Sequence, residues 1–507
     1  MDKKILIVAL VAIIAIAAVA AYVLMNNNGN NNSPSDKDEF ATGSYNFKYM
    51  DLYDDPFDYE KQTRLAVLGN ANNDTSIDSK DVTAIRNLIK SGDIDAKSNA
   101  SAYAANYYAD ANNDGKINEA DAKYVQGMID GKVTKVFYEK ILDGIGSYTP
   151  AKKTYLIPVH RCYGRTSVML ANASENITIV GGCTQMAEDE FFDVIDVNDS
   201  NKFMSVGTSG GSTIKTEAIS TLAAKYSDGN VVVMTGGNAS YCSDYESKGT
   251  HAQYIRFITW EGDALTGLLT AAYLIDGVGN SDAKDGTGWG KAKEYEAWYM
   301  KYINMIKAEG AKVSDNDKKT IVLPYLASSE GYKGADQSTP SLRGNNTSEQ
   351  VYVENAGGKN VYYEFGEANA WGRVSYTKEQ FANLTTAGKC PDVVLFMPGF
   401  FVKTSARGGT AADVQACENG IAASFARYIS SDSDLYIKTW CLNGIPMIMD
   451  QICIAKALLP DNAVIKNIDM EKVWNEYLTL YGVPTTGSTI SYDNVFIMDG
   501  TPFHANA

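Results

Sequence analysis

The chain is poor in cysteine, histidine and positive charge, and it lacks several of the short signatures of common catalytic sites. Seven cysteines among 507 residues (162, 183, 242, 390, 417, 441 and 453) follow no regular spacing and include no CxxC pair. They therefore form neither a dense disulfide scaffold nor a thioredoxin-type redox motif, and the odd count leaves at least one unpaired within the chain. His160, His251 and His504 are too scattered to suggest a histidine metal centre. Lysine and arginine number 45 against 61 acidic residues, a net charge of −16. That balance repels phosphate and argues against nucleic acid as a partner. There is no His-Glu-x-x-His, P-loop or Rossmann fingerprint. Glu330, Glu364 and Glu367 are available carboxylates, but no motif orients two of them across a site as glycoside hydrolysis requires.

What is present is enough chain for about three domains and an ordinary hydrophobic fraction of 45%. Thirty-two tyrosines stand out; their rings suit wet, adaptable surfaces as well as cores. Asp2-Lys3-Lys4 precedes an uncharged apolar run, Ile5–Met25, long enough to span roughly 30 Å of hydrocarbon. Residues 1–25 read as a transmembrane anchor with Lys3 and Lys4 inside and the rest of the chain outside the cell. Ala18-Val19-Ala20 also offers a cleavage site, so a signal peptide is the other reading. Residues 26–60 read as an Asn-rich tether. Sequons at Asn172, Asn176, Asn238 and Asn383 fit an exported glycoprotein.

Residues 61–135 carry a duplicated loop, its two copies offset by 40 positions. The first places Asn70, Asn72, Asp74, Ser76, Asp78 and Asp81 at positions 1, 3, 5, 7, 9 and 12; the second places Asp110, Asn112, Asp114, Lys116, Asn118 and Asp121 there. Side-chain oxygens with a backbone carbonyl at position 7 form the cage a hard Ca²⁺ ion needs, so two calcium sites are expected. Ile77 and Ile117 occupy position 8 and are expected to pair with each other. Each loop leads into a helix with one apolar stripe: Val82, Ile85, Leu88 and Ile89, then Val125, Met128 and Ile129. This duplicate resembles a type I dockerin, a small all-α EF-hand-like module. The resemblance implies a cohesin-type partner read by Ser79-Lys80 and Glu119-Ala120 at positions 10 and 11, although a calcium-stiffened spacer fits as well. Asn70 and Thr75 stand where the family has Asp and Gly, which predicts weaker binding in the first loop.

The remainder reads as an α/β protein of two Rossmann-like lobes, residues 150–285 and 313–507, joined by a long helix within 286–312. Expected strands are 154–159, 176–181, 231–234 and 254–259 in the first lobe, and 319–323, 360–363, 393–397 and 435–438 in the second. Strands separated by helices imply parallel sheets. In the linker helix, Tyr295, Trp298, Tyr299, Tyr302 and Ile306 form one stripe. Met470–Tyr481 is expected to be a closing helix.

The order and spacing of several short segments carry a family resemblance over about 350 residues. They are Val206-Gly207, the strand after Asp228, Ala356–Val361, Val374-Ser375 with Glu379-Gln380-Phe381, Cys390–Val394 and Ile452–Pro460, then Asp469, Tyr477 and Tyr481-Gly482. The chain resembles the helical-backbone class of ABC-transporter solute-binding proteins for iron siderophores, haem and cobalamin. The resemblance implies a non-enzymatic carrier whose glutamates, by position Glu217 and Glu379, dock on an ABC permease. A plain helix-dipole role is the competing reading for either carboxylate.

Ligands of doubly wound sheets sit beyond the carboxyl ends of the strands. The candidate contacts there are Arg161, Tyr163, Arg165, Tyr241, Tyr325, Arg343, Trp371, Arg373, Phe400, Arg407 and Trp440. Arginines interleaved with aromatics suit a large, anionic, partly planar ligand such as an iron chelate, haem or a corrinoid. A dockerin-bearing surface scaffold for proteins or polysaccharides is the second reading.

Overall fold

The computed structural model describes residues 40–45, 63–140, 144–184, 186, 199–208, 214–235, 252–256, 265–280, 282–326, 341–344, 347–368, 373–398, 434–437, 439–440, 447–485, 492 and 496–497. The apolar run Ile5–Met25 lies outside them. Among the described residues no helix is long and apolar enough to cross a membrane. The chain divides into two compact units, one mainly Glu60–Cys183 with Met204–Lys293, the other mainly Glu294–Ala507.

In the first unit, four parallel strands lie in the order Gln253–Arg256, Asn230–Thr235, Thr154–Pro158, Ile177–Ile179. Val231–Thr235 is buried throughout, as expected of a parallel strand covered on both faces. The helices Arg161–Ala173 and Thr216–Lys225 supply connections between the strands. Ile157, Val159, Val180, Val206, Ile219, Leu222, Val231 and Val233 share one core cluster. Full burial of such a side chain contributes roughly 1.5–3 kcal/mol. The helix Leu265–Ala272 continues as a π turn, Tyr273–Gly277.

The calcium-loop module belongs to this same unit. Its helices Ser79–Leu88 and Glu119–Ile129 bury Val82 and Ile85, and Val125 and Met128, of the predicted stripes, while Leu88, Ile89 and Ile129 are half-buried. It is not purely helical. Ile117 is the cross-strand partner of Ile94, so the expected pairing of Ile117 with Ile77 is replaced. A hairpin absent from the sequence reading, Val136–Glu139 with Ile145–Tyr148, joins the module to the sheet. Tyr138 pairs with Val67 on one side, and its hydroxyl donates to Tyr254 O at 2.7 Å on the other. Glu139, buried, accepts from Arg64 Nη2 at 3.1 Å and from the hydroxyls of Tyr107 and Tyr108. Part of the expected tether is also structured: Gly43 N donates to Asn112 O and Tyr45 N to Asn113 O, each at 2.9 Å.

The second unit contains a seven-stranded mixed sheet. Val393–Pro398 is its centre, parallel to Thr320–Val322, Pro324–Leu326 and Asp434–Ile437. Lys359–Asn360 extends it in parallel, while Ser341–Arg343 and Arg373–Ser375 continue it antiparallel. The expectation of a purely parallel sheet fails at these last two strands.

The long helix runs from Gly288 to Gly310. Its predicted stripe is buried throughout, at Tyr295, Trp298, Tyr299, Tyr302 and Ile306. Within the second unit it meets the helix Met470–Leu480, where Tyr295 lies 6.5 Å from Tyr477 and Trp298 lies 6.0 Å from the same ring.

Candidate functional site

The two calcium-type loops are the most completely built sites among the described residues. Each turns at an asparagine in the left-handed region, Asn73 at φ 58° and Asn113 at φ 57°, a conformation asparagine tolerates better than most residues. Each ends in a capping box, Asp78 with Asp81 and Asn118 with Asp121, which satisfies the first free N–H groups of the following helix.

In the second loop Asp110 is fully buried. It accepts from Tyr103 Oη at 2.5 Å, Asp114 N at 3.0 Å and Gly115 N at 2.9 Å. Asp121 accepts from Asn112 N at 3.3 Å and Asn118 N at 2.8 Å. In the first loop Asp81 plays the same part toward Asn72 N at 3.2 Å and Asp78 N at 2.9 Å.

Position 1 differs. Asn70 donates through Nδ2 to Leu65 O and Asp74 O, both at 2.7 Å, whereas its Oδ1 is buried without a hydrogen-bond partner. An acceptor oxygen orphaned at a ligand position is what a cation would complete. Burial pushes the Asp81 and Asp110 carboxyls up to about 7 and raises Asp121 as well. A bound cation would reverse that preference. Both loops therefore fit a hard, oxygen-ligated ion, with Asn70, Asn72, Asp74, Asp78 and Asp81, and Asp110, Asn112, Asp114, Asn118 and Asp121, supplying oxygens, and the carbonyls of Ser76 and Lys116 completing each set. Among the described residues no group of three or more His, Cys, Asp or Glu side chains is spaced to hold a metal unaided; amide and carbonyl oxygens are integral to these loops.

The partner-reading positions Ser79, Lys80, Glu119 and Ala120 are all exposed. Glu119 is held by Arg86 of the neighbouring helix through Nη2–Oε1 at 2.8 Å and Nε–Oε1 at 3.2 Å.

In each unit a helix carrying an exposed glutamate in its first turn precedes a central strand. Glu217 opens Thr216–Lys225 ahead of Asn230–Thr235. Glu379 opens Lys378–Thr386 ahead of Val393–Pro398. An aspartate just before each strand pins the neighbouring one. Asp228 accepts from Lys153 Nζ at 2.7 Å and Tyr155 Oη at 2.8 Å. Asp392 accepts from Thr320 N at 2.7 Å and Thr320 Oγ1 at 2.8 Å.

The expected ligand contacts fare unevenly. Tyr163 and Arg165 are buried inside the first unit. Arg343 forms an ion pair with Glu349 at 3.1 Å. Arg373, its cross-strand partner, is exposed. Tyr241, Trp371, Phe400 and Arg407 lie outside the described residues, as do the side chains of Arg161, Tyr325 and Trp440. A surface groove in the second unit, missed in the sequence, is lined by Glu294, Trp298, Asp469, Glu471, Lys472 and Glu476 among others. Its four carboxylates suit a cation better than an anionic chelate.

Residues 68–130 match the dockerin type I domain. No curated protein matches the chain. Among solved structures, the chain is similar to the TroA-like periplasmic binding protein FepB from Veillonella parvula, at 15% identity and a TM-score of 0.48, covering 71% of this chain and 99% of that one. It is also similar to the molybdate-binding protein MolA of Haemophilus influenzae, at 15% identity and TM-score 0.42, covering 68% and 97%. A third is the periplasmic haem-binding protein HutB of Vibrio cholerae, at 14% identity and TM-score 0.35, covering 61% and 99%. All three of these solved structures are described as binding proteins.

Proposed function

We propose that this chain is the extracytoplasmic solute-binding component of an ABC importer, a carrier without chemistry of its own. It captures an iron complex of siderophore or haem type, or a corrinoid, through loops at the carboxyl ends of its strands. It then presents the load to a membrane permease through Glu217 and Glu379. The observation that carries the reading is the repeated placement of those glutamates: exposed, in the first turn of a helix, immediately before a central strand of each unit. Two carboxylates so placed present acidic points that arginines of a partner can grip bidentately. Residues 1–25 anchor the chain, and two Ca²⁺ ions order the dockerin-type module.

A second reading, a cell-surface binding or scaffold protein, is favoured by the exposure of Ser79, Lys80, Glu119 and Ala120, which leaves that face open to a cohesin-type protein.

Native mass spectrometry with absorption spectroscopy on protein purified from cells grown in natural medium tests the first reading. A co-purifying chromophore or iron chelate is expected. A colourless protein whose melting temperature ignores siderophores, haem and corrinoids would leave the scaffold reading in its place.

A further inference from the structure

The first calcium-type loop is gripped by a residue from outside its own module. Lys293, on the opening turns of the helix Gly288–Gly310, donates through Nζ to Thr75 Oγ1 at 2.9 Å, Thr75 O at 3.1 Å and Ser76 Oγ at 3.2 Å. These are positions 6 and 7 of the loop. In the second loop, position 6 is Gly115 at φ 86°, with the Tyr45 ring against its Cα: a Cβ there would lie 2.9 Å from Tyr45 Cδ2. Thr75 takes no such positive φ. The turn that glycine makes freely in one copy is held by an ammonium from the sheet-bearing part of the unit in the other.

Lys293 is itself well seated. Its ammonium lies 5.5 Å from the centre of the Trp289 ring, and Trp289 is buried edge-on against Tyr273 at 5.3 Å. Asp276 accepts from Gly288 N at 2.6 Å at the start of the same helix. Further latches surround this one. Ala66 N donates to Thr270 Oγ1 at 3.1 Å and Gly279 N to Met128 O at 2.9 Å. Gly131 and Gly279 approach so closely that a Cβ on either would lie about 3 Å from the other's Cα.

We infer that the dockerin-type module is a calcium-dependent brace of the first α/β unit, with Lys293 as the positioning residue between the first loop and the helix. Ca²⁺ fixes the carbonyl of Ser76, and the ordered Thr75–Ser76 segment then fixes Lys293 and the turns that carry it. Coupling of this kind is reciprocal: the seated helix start also favours the loop geometry that binds calcium. The inference rests on the reading that the loops bind Ca²⁺.

Hydrogen exchange on the full chain, with Ca²⁺ or with chelator, tests it alongside native mass spectrometry. Two bound Ca²⁺ are expected, with exchange slowed by about tenfold at amides of 265–280 and 288–293 as well as in the loops. Lys293→Met should keep two Ca²⁺ yet lose the slowing at 288–293. Asp81→Asn should lose one Ca²⁺ and the protection at 288–293, whereas Asp121→Asn should lose one Ca²⁺ and retain the protection at 288–293. Two bound Ca²⁺ with protection confined to 66–131 would overturn the brace alone. A chain that binds no Ca²⁺ would overturn the calcium reading and the brace with it.

Discussion

The Tyr155 hydroxyl donates to Asp228 Oδ1 at 2.8 Å, and Lys153 Nζ to Oδ2 at 2.7 Å, fastening the turn before one central strand to its neighbour. The Lys153 hydrogen bond, then that of Tyr155, holds the Asp228 carboxyl below its ordinary value. A depressed acid contributes stability that is present above its unfolded pKa of about 3.9 and is lost as pH falls through the folded value. The difference in melting temperature between the native chain and Asp228→Asn should therefore be constant near neutrality and shrink below about pH 3.9. Thermal melts across the acid range check this; a difference that grows on acidification would refute it.

Glu476 should matter to the second unit. Its Oε2 accepts from Trp298 Nε1 at 2.8 Å and Tyr302 Oη at 2.6 Å. Glu476→Ala leaves both donors short of an acceptor, at a cost of about 1–3 kcal/mol. Urea unfolding should register that loss, with a changed tryptophan signal in near-ultraviolet circular dichroism.

Gly279→Ala should destabilise the first unit by about 1–3 kcal/mol through overpacking, because φ is +79° and the added Cβ would sit 2.9 Å from Gly131 Cα. Gly92→Ala is the control: φ is +119° but nothing lies within 4 Å. Equal losses at both sites would mean that backbone strain, and not the close approach, sets the cost.

Replacing Glu217 and Glu379 together with alanine should abolish permease-dependent uptake while leaving ligand affinity unchanged, because both carboxylates are exposed at helix starts. Transport assays on cells and binding titrations on purified protein separate the two. Lost affinity would remove the docking assignment.

Several elements were legible in the residues because local periodicity and burial coincide. The stripe Tyr295, Trp298, Tyr299, Tyr302 and Ile306 is buried as spaced, and Val231–Val233 forms the buried strand its run of valines predicts. Both calcium-type loops close into the helices expected after them, because capping boxes and Asx hydrogen bonds are local interactions. Other features were not legible. The mixed character of the second sheet depends on Ser341–Arg343 and Arg373–Ser375, short strands whose pairing is set by distant chain. Nor was the ion pair of Arg343 with Glu349, which ties the strand Ser341–Arg343 to the helix Ser348–Asn355 after it.

The sequence by itself determined the two loops, the alternation of strands and helices, and the acidic balance, all of which follow from neighbouring residues or from composition. Tertiary structure alone decided that Ile117 pairs with Ile94 and that Tyr163 and Arg165 lie buried. It also decided that Lys293 holds a loop 218 residues away in the chain. Such contacts join segments far apart in the chain, whose separation carries no periodic signal and whose meeting depends on how the apolar faces between them are buried.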